Sequence, residues 1–378
     1  MRPSDVELHV VLPNDIDDAA TPSGGNRYDR ELCTGLAALG WSVREHAAHG
    51  AWPRPGVGDL AALDDLIASL PSGASALVDG LVASCAPETM AAHAPRLRLA
   101  VLVHMPFGDT APAARPAEHR ALRAASAIIA TSEWTRRRLS ELYDLPTERI
   151  DVATPGVTPA QPATGSSGGA ESDPDGVDLG GGGALLCVAV VGHHKGHDVL
   201  VEALARIVDL PWTCVCVGAL DRDPDFVRAL TARIDAVTIG DRLRLVGPRT
   251  GADLDALYSA ADLLVHPSRG ETYGMVAAEA LARGIPVLAT TAKGLPDAVG
   301  RAPDGTVPGL LIPPDDPAAL AAALRRWLTD PTLRRRLHDA ALARRATLAD
   351  WTVTARTVAN TLRRLSPGQA RPGASITA

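Results

Sequence analysis

The sequence predicts an α/β protein with two doubly wound, Rossmann-like parallel-sheet domains. Short apolar stretches alternate with helical patterns along both halves of the chain, as expected for parallel sheets covered by helices on both faces. The chain has 378 residues, which is too long for one typical core. Between the two halves, the stretch from Thr158 to Gly183 contains almost no apolar residues. We therefore expect two domains joined by a linker.

In the first half, an apolar strand at Val6–Leu12 leads through a polar loop with Gly24 and Gly25 into a helical pattern from Tyr28 to Leu39. Further strands are predicted, with helices between them, at Ala76–Asp79, Leu97–His104, Ala127–Thr131 and Ile150–Ala153. His104 ends one of these strands, at the sheet edge where ligands lie in such folds.

The alternation restarts directly after the linker. Strands are predicted at Ala184–Val191, Thr213–Val217, Arg242–Val246, Asp262–His266, Val287–Ala289 and Leu310–Ile312, and helices at Asp198–Val208, Asp225–Ala236, Asp253–Ala260, Met275–Arg283, Pro317–Leu328, Pro331–Ala346 and Thr352–Leu365. The predicted organisation is a first domain at 1–157, a flexible linker at 158–183, a second domain at 184–345, a helix at 346–365 that returns to the first domain, and a disordered tail at 366–378.

The most informative segment reads HPSRGETYGMVAAEALARGIPVLAT and begins at His266. Gly274 precedes a helical pattern, and the N-terminus of a helix after a glycine offers free backbone amides and a positive dipole end, which together suit a phosphate. Glu271 lies just before this terminus and Glu279 about two turns into the helix. A phosphate site flanked by carboxylates that bind hydroxyl groups indicates a nucleotide sugar as ligand.

This segment resembles the Glu-x7-Glu motif of retaining glycosyltransferases of family 4, which have the GT-B fold of two Rossmann-like domains facing a central cleft. The resemblance implies that Glu271 contacts the donor sugar and Glu279 the ribose. It also implies that His104 reaches the transferred sugar. Donor-binding positions implied in the same way are Gly24, Gly25, Val246, Gly247, Tyr273, Gly274, Met275 and Val276.

Only Lys195 and Lys293 are lysines among the 37 basic residues. Lys195 lies in a His-His-Lys-Gly loop that resembles the Lys-Gly-x-x-x-Leu signature of family 4, which implies that it neutralises the leaving diphosphate. Many members also have a Gly-Arg pair a few residues earlier, where this chain has Ala189 and Val190. Either Lys195 and the Gly24-Gly25 amides suffice, or another group replaces the arginine; the candidates are His193, His194 and Arg269.

Composition argues against several other classes of protein. A net charge of −7 argues against a nucleic-acid partner, and no apolar run approaches the ~20 residues of a membrane span. The N-terminus does not resemble a signal peptide, so we expect a cytoplasmic protein. The five cysteines fit neither a zinc spacing nor a disulfide framework. We expect no metal and no cofactor, in agreement with the metal independence that the resemblance implies.

The predicted function is a retaining transfer of a hexose from a nucleotide diphosphate sugar, with a UDP-sugar favoured, to an acceptor hydroxyl. The acceptor is open (a small molecule, a glycan or a lipid), and Trp52, Phe107 and Trp134 are candidates for its contacts by position alone. Alternatives are a nucleotide-sugar epimerase or phosphorylase of the same architecture and a non-catalytic nucleotide-binding protein. Weak contact with a membrane surface through Arg120, Arg123 and Arg136 to Arg138 also stays open. The oligomeric state is not predicted.

Overall fold

The computed structural model describes residues 6–17, 23–166 and 183–365. The chain divides into two compact units, of which the first takes in residues up to Gly156 and from Ala349 onward, and the second runs from Val157 to Leu348. Each unit contains a six-stranded sheet. Every strand pairing in both sheets is parallel. The predicted class, two parallel-sheet α/β domains, is confirmed.

The first unit alternates strands and helices from its start. Its strands are β1 (Val6–Pro13), β2 (Trp41–Ala48), β3 (Ser75–Asp79), β4 (Arg98–Val103), β5 (Ala127–Ala130) and β6 (Ile150–Val152), in the order β2-β1-β3-β4-β5-β6. Its first helices are α1 (Gly24–Ala38), α2 (Val57–Ala68), α3 (Gly80–Cys85), α4 (Pro87–His93), α5 (Phe107–Thr110), α6 (Arg115–Ala124) and α7 (Glu133–Tyr143). The strand order changes direction beside β1 and β3, where ligands bind in folds of this kind.

Two elements of this unit differ from the sequence prediction. Strand β2 is absent from the prediction because it is an edge strand with an exposed middle, so it has no apolar run. Helix α1 begins at Gly24 rather than Tyr28, because the Ser23 hydroxyl accepts a hydrogen bond from the Asn26 amide and caps the helix. Gly24 and Gly25 therefore lie in the first turn of a helix and not in a loop.

The second unit repeats the plan. Its strands are β7 (Ala184–Val188), β8 (Thr213–Val217), β9 (Leu243–Leu245), β10 (Leu263–His266), β11 (Val287–Thr290) and β12 (Gly309–Ile312), in the order β12-β11-β10-β7-β8-β9. Its helices are α8 (His197–Ala205), α9 (Pro224–Ala236), α10 (Gly251–Ala260), α11 (Met275–Ala282), α12 (Leu295–Val299), α13 (Pro317–Thr329) and α14 (Pro331–Arg345). Two apolar clusters, one on each face of this sheet, form its core.

The last described helix, α15 (Trp351–Arg364), belongs to the first unit although it follows the second along the chain. It packs on α1, where a Cβ atom added to Gly35 would lie only 2.7 Å from the Cβ of Ala355. The Trp351 ring meets the Tyr28 ring edge to face, with centroids 5.6 Å apart. Close helix packing of this kind needs a small residue, which Gly35 provides. Within the described residues, every helix falls short of the length and apolar character needed to traverse a bilayer.

The first part of the predicted linker is held in place. The Ala163 amide donates to the Arg283 carbonyl at 2.8 Å, and Ser166 donates to the Asp262 carboxylate from its amide at 3.0 Å and from its hydroxyl at 2.6 Å. Residues 158–166 therefore pack along the second unit and differ from the flexible segment that their composition predicts, because hydrogen bonds with the second unit hold them. Positions 167–182 and the predicted tail at 366–378 lie outside the described residues.

Candidate active site

Lys195 and Glu271 form an ion pair beside the carboxyl end of β10. Lys195 Nζ lies 2.6 Å from Glu271 Oε2, and the two side chains are 19% and 20% exposed. The same carboxylate oxygen lies 3.4 Å from Nε2 of His266, the last residue of β10. Burial by itself would raise the pKa of Glu271, but Lys195 and His266 outweigh it and hold the pKa well below its usual range. The Glu271 carboxylate is therefore ionised at neutral pH.

The loop that carries Lys195 is fastened to the loop that carries Glu271. Lys195 ends a short 3-10 turn, and Gly196 follows it with a φ of 72°. A Cβ atom on Gly196 would lie 2.1 Å from the Pro267 carbonyl oxygen, so only glycine allows this approach. The carbonyl of His194 accepts hydrogen bonds from the Ser268 hydroxyl at 3.1 Å and from the Arg269 amide at 3.0 Å. The position of the lysine is thus set by contacts between the two loops.

Arg269 strengthens this junction. Its guanidinium donates two 2.8 Å hydrogen bonds to the two oxygens of Asp198 in the first turn of α8, and it also contacts Asp315 and the carbonyl of His193. Arg269 was one candidate for the cation missing at Ala189 and Val190. Since its guanidinium is engaged by two carboxylates, it is better explained as a clamp on the Lys195 loop than as a ligand for a diphosphate.

The two histidine candidates for that cation have different surroundings. Burial and the neighbouring Lys195 lower the pKa of His194, which favours its neutral form. The ring of His193 meets the Phe226 ring edge to face, with centroids 6.2 Å apart. A charge on His194 is therefore disfavoured at neutral pH.

The position where many family members have the glycine of the Gly-Arg pair is closely packed. Ala189 lies against Gly218, where an added Cβ atom would be 1.9 Å from the Ala189 carbonyl oxygen.

The second lysine of the chain lies at the same loop. Cε of Lys293 would be 3.2 Å from a Cβ atom added to Gly270, and the Gly294 amide donates to the Glu271 carbonyl at 2.8 Å. Lys293 has a φ of 51°, in the left-handed region that residues other than glycine seldom adopt. Both lysines of the chain therefore lie beside the segment that carries Glu271, although the sequence singles out only Lys195.

Helix α11 begins as the sequence predicts. Its N-cap is Gly274, with a φ of 107°, and a Cβ atom at this position would be 2.6 Å from Cδ2 of Leu295. Met275 and Val276 form the first turn, whose backbone amides have no partner within the helix. Tyr273 is partly buried against the neighbouring apolar cluster. The predicted donor-binding positions from Tyr273 to Val276 thus lie at a helix N-terminus that follows directly on Glu271.

Glu279 and the predicted donor-binding positions Val246 and Gly247 lie elsewhere in the second unit. Glu279 Oε2 accepts a 3.0 Å hydrogen bond from the hydroxyl of Tyr258 in α10. Val246 and Gly247 follow β9, and the Gly247 carbonyl accepts from the Gly218 amide at 3.0 Å. The structure therefore brings Lys195, Glu271 and the start of α11 together, whereas Glu279 pairs with a different residue.

The predicted site residues of the first unit centre on His104, directly after β4. Its Nε2 lies 2.9 Å from Asp29 Oδ1 and 3.4 Å from Asp79 Oδ2, and the two carboxylates are only 3% and 4% exposed. Gly25 packs beside this ring, since a Cβ atom there would be 3.5 Å from His104 Cδ2. The centroid of the Tyr28 ring lies 5.1 Å from that of His104, edge to face. The histidine is thus held by a pair of buried acids.

Sequence reasoning missed Asp29, Asp79 and His266, although signals for the two acids exist. Asp79 ends β3, and a charged residue at that end of a buried strand is expected at a ligand-binding edge. Asp29 interrupts the apolar face of α1, between Tyr28 and Leu32, at a position that is 2% exposed. His266 ends β10 in the same way as His104 follows β4. Asp79 and His266 could thus have been found from their places at strand ends, and Asp29 from its place on the apolar face of a helix.

Within the described residues, two sets of side chains have donor atoms within 4.8 Å of one another: Asp29, Asp79 and His104, and Cys187, His197 and Cys216. The first set is already joined by direct contacts between the histidine and the carboxylates. In the second set, hydrogen bonding with Cys216 and burial raise the pKa of Cys187 well above its usual range, so the thiol is protonated. Cys214 and Cys216 are both buried.

Comparison with known proteins supports the resemblance. Residues 180–344 match the family model of glycosyl transferases group 1, and residues 78–161 match the model of Glycosyltransferase Family 4. These matches include Lys195, Glu271 and Glu279 in the second unit and His104 in the first. The chain is thus similar to glycosyltransferases of family 4 in parts of both units.

Among curated relatives, the chain is 34% identical over 268 residues to the D-inositol 3-phosphate glycosyltransferase of Kineococcus radiotolerans, covering 65% of this chain and 59% of that protein. It is 35% identical over 266 residues to the enzyme of the same name from Frankia alni, covering 66% and 62%. The chain therefore spans less than two thirds of the length of these relatives.

Solved structures show the same fold. Sucrose-phosphate synthase from Thermosynechococcus elongatus superposes with a TM-score of 0.78 at 22% identity, over 95% of this chain and 98% of that one. Anabaena HepE in complex with UDP-glucose superposes with a TM-score of 0.72 at 19% identity, over 94% and 99%. At these identities the comparison establishes the architecture alone.

Proposed function

We propose that this protein is a retaining, metal-independent hexosyltransferase that moves a hexose from a nucleotide diphosphate sugar to an acceptor hydroxyl. The observation that carries the proposal is the Lys195–Glu271 pair, 2.6 Å apart and next to the N-terminus of α11. An ammonium group and free helix amides suit a diphosphate, and an adjacent carboxylate suits sugar hydroxyls.

Each group then has one task. Lys195 and the first amides of α11 stabilise negative charge as it builds on the leaving diphosphate, which is electrostatic preorganisation. Glu271 orients the sugar hydroxyls, and Glu279 takes the ribose hydroxyls with Tyr258 fixing its carboxylate. His104 contacts the transferred sugar, as the resemblance implies.

The comparisons favour particular substrates. HepE, a neighbour in fold, binds UDP and UDP-glucose, which supports a UDP-sugar as the donor. The curated relatives are named for an inositol 3-phosphate acceptor, so a polyol or its phosphate is the first acceptor class to test. Ala189 and Val190 leave the diphosphate without the arginine of many family members, so the donor affinity depends strongly on Lys195.

The test is a donor screen on the full chain. UDP-glucose, UDP-N-acetylglucosamine, GDP-mannose and ADP-glucose are each incubated with EDTA, with and without inositol 3-phosphate and a mixed polyol library. We expect release of a nucleoside diphosphate that depends on an acceptor, and a product whose anomeric proton shows the same configuration as the donor. Inverted products would contradict retention, and loss of activity in EDTA would contradict metal independence. Conversion of the donor to an isomeric nucleotide sugar, without an acceptor and without net release of nucleoside diphosphate, would favour an epimerase.

A further inference from the structure

His104, Asp29 and Asp79 form a compact cluster in which a single nitrogen of the histidine faces two carboxylates. His104 Nε2 lies 2.9 Å from Asp29 Oδ1 and 3.4 Å from Asp79 Oδ2. The three residues come from three elements, since Asp29 lies in α1, Asp79 ends β3 and His104 follows β4. Their meeting point is the carboxyl edge of the sheet beside β1 and β3, where ligands bind in parallel α/β folds.

The two acids are placed by different means. Asp79 Oδ1 accepts hydrogen bonds from the backbone amides of Leu81 at 2.7 Å and Val82 at 3.4 Å, which caps α3, and its other oxygen turns to His104. Asp29 is held on the buried face of α1 next to Tyr28, whose hydroxyl donates to the Ala153 carbonyl at 2.8 Å. The Asp79 carboxylate is therefore held independently of the ring, and the buried position of Asp29 directs its carboxylate to the ring.

The other nitrogen of the ring points elsewhere. Among the described residues, Nδ1 of His104 has no hydrogen-bond partner, and the side chain is 21% exposed. One edge of the ring is thus occupied by acids, and the opposite edge is left for another molecule. A neutral ring in this position would accept a proton at Nδ1 and act as a base, whereas a charged ring would donate from Nδ1.

We propose that Asp29 and Asp79 are positioning residues that hold His104 as an imidazolium, so that its Nδ1–H donates a hydrogen bond to the bound substrate and the ring does not act as a general base. This inference rests on the proposed function for the identity of the substrate, but the state of the ring is a property of this cluster alone.

The charges around the ring support this state. Burial alone would lower the pKa of His104, but Asp29 and Asp79 outweigh it and raise the pKa to about 10. Three groups face the ring: Tyr28 and Asp29 in α1, and Asp79 at the end of β3. The charge of Arg30 acts on Asp29 and favours its ionised form. Burial also raises the pKa of Asp29, to about 6, which still leaves its carboxylate ionised at neutral pH. Two acids on one nitrogen thus favour the doubly protonated ring.

The decisive experiment observes the ring directly and needs no substrate. The full chain is labelled with 15N in its histidine rings, His104 is assigned with a His104→Gln variant, and the ring nitrogens are followed by NMR from pH 5 to 10 in the presence of EDTA. We expect His104 to stay doubly protonated beyond pH 8 in the parent protein. In an Asp29→Asn, Asp79→Asn double variant it should titrate at or below the ordinary histidine value of about 6.5, because burial then acts without the acids.

A matched control is present in the same unit. His93 Nε2 lies 3.2 Å from Asp64 Oδ1, a second histidine–carboxylate pair, whose acid is 50% exposed. Asp64→Asn should leave the titration of His104 unchanged. Asparagine keeps the side-chain oxygen that caps α3, so thermal melting verifies that the double variant folds. If His104 in the parent protein titrates near the ordinary value, or if the double variant leaves its titration unchanged, the proposal is wrong.

A second arm connects the ring to the reaction. With UDP-glucose as donor, the rate of UDP release by the parent protein should stay level between pH 6.5 and 8.5. The double variant should lose roughly tenfold in kcat with little change in KM, and its rate should fall as pH rises through the lowered pKa of His104. A rate in the parent protein that rises with deprotonation of His104 would show a general base and overturn the proposal. Absence of UDP release by the parent protein would count against the proposed donor, and the NMR titration would still decide the state of the ring.

Discussion

Lys195 Nζ donates a hydrogen bond to Glu271 Oε2 at 2.6 Å. In the proposed reaction Lys195 binds the diphosphate and Glu271 binds the sugar, so the two donor-binding side chains contact each other. A donor that binds here must share or replace this contact. The pair therefore has two roles, one in the stability of the second unit and one in binding, and variants must be designed to separate them.

A double-mutant cycle separates these roles. Lys195→Met should destabilise the protein by about 1–3 kcal/mol, because it leaves a mostly buried carboxylate without its main partner. Adding Glu271→Gln removes that unpaired charge, so the double variant should recover most of the loss while its transferase activity stays low. Urea unfolding of the four proteins measures the stabilities. A double variant as unstable as Lys195→Met alone would show that the pair is not the cause.

Acid should weaken the second unit through Glu271. Its pKa is lower in the folded protein than in the unfolded chain, because Lys195 and His266 outweigh burial. The stability it contributes is therefore present above about pH 4.3, the ordinary value for glutamate, and is lost as pH falls through the folded pKa. The melting temperature of Glu271→Gln should consequently fall less between pH 6 and pH 3 than that of the parent protein. Parallel curves would contradict this linkage.

Arg269 should act on the reaction without touching the donor. Its bidentate contact with Asp198 fixes the loop of Lys195, so Arg269→Ala should lower kcat/KM for the donor by roughly tenfold through a displaced lysine. Added guanidinium should restore part of the activity. Arg325 is the matched control, since it makes a similar bidentate contact with Asp209 on the surface of the same unit. If Arg325→Ala has the same effect, the loss is one of general stability.

Glu279 and Glu271 should differ in their kinetic effects. A ribose contact is made about equally in the ground state and the transition state, so Glu279→Ala should raise the donor KM by roughly tenfold and change kcat little. Tyr258→Phe should have a weaker effect of the same kind, because Tyr258 only orients the carboxylate. Glu271→Ala should lower kcat strongly. Equal effects of the two glutamate variants on KM alone would remove the proposed division of roles.

Much of the fold follows from local patterns, and the exceptions have physical causes. Strands such as Thr213–Val217 are buried along most of their length, so their apolar runs identify them. Strand β2 lies at a sheet edge with exposed Arg44 and Glu45, so its sequence shows no such run. The early start of α1 depends on one hydrogen bond of Ser23, which helix periodicity does not reveal.

The candidate site also has a part that the sequence predicts and a part that it does not. Lys195, Gly274 and Glu271 are close in space because each follows or begins an element at one edge of a sheet, and strand order alone predicts such a meeting. The side chains that pair with the site residues could not be predicted in this way. Arg269 and Asp198 are 71 positions apart in the sequence, and His104 and Asp29 are 75 positions apart. Whether such residues meet depends on the directions of their side chains, which a single sequence does not specify.

The most direct test of the central claim is the affinity of nucleotides for Lys195→Met, measured by calorimetry beside the Lys195→Met, Glu271→Gln double variant. If Lys195 binds the diphosphate, UDP should bind both variants about 10- to 100-fold more weakly than the parent protein, a loss of about 1.4–2.8 kcal/mol, while uridine binds all three equally. Equal binding of UDP to the parent protein and the variants would contradict the account, because the diphosphate would then lie elsewhere.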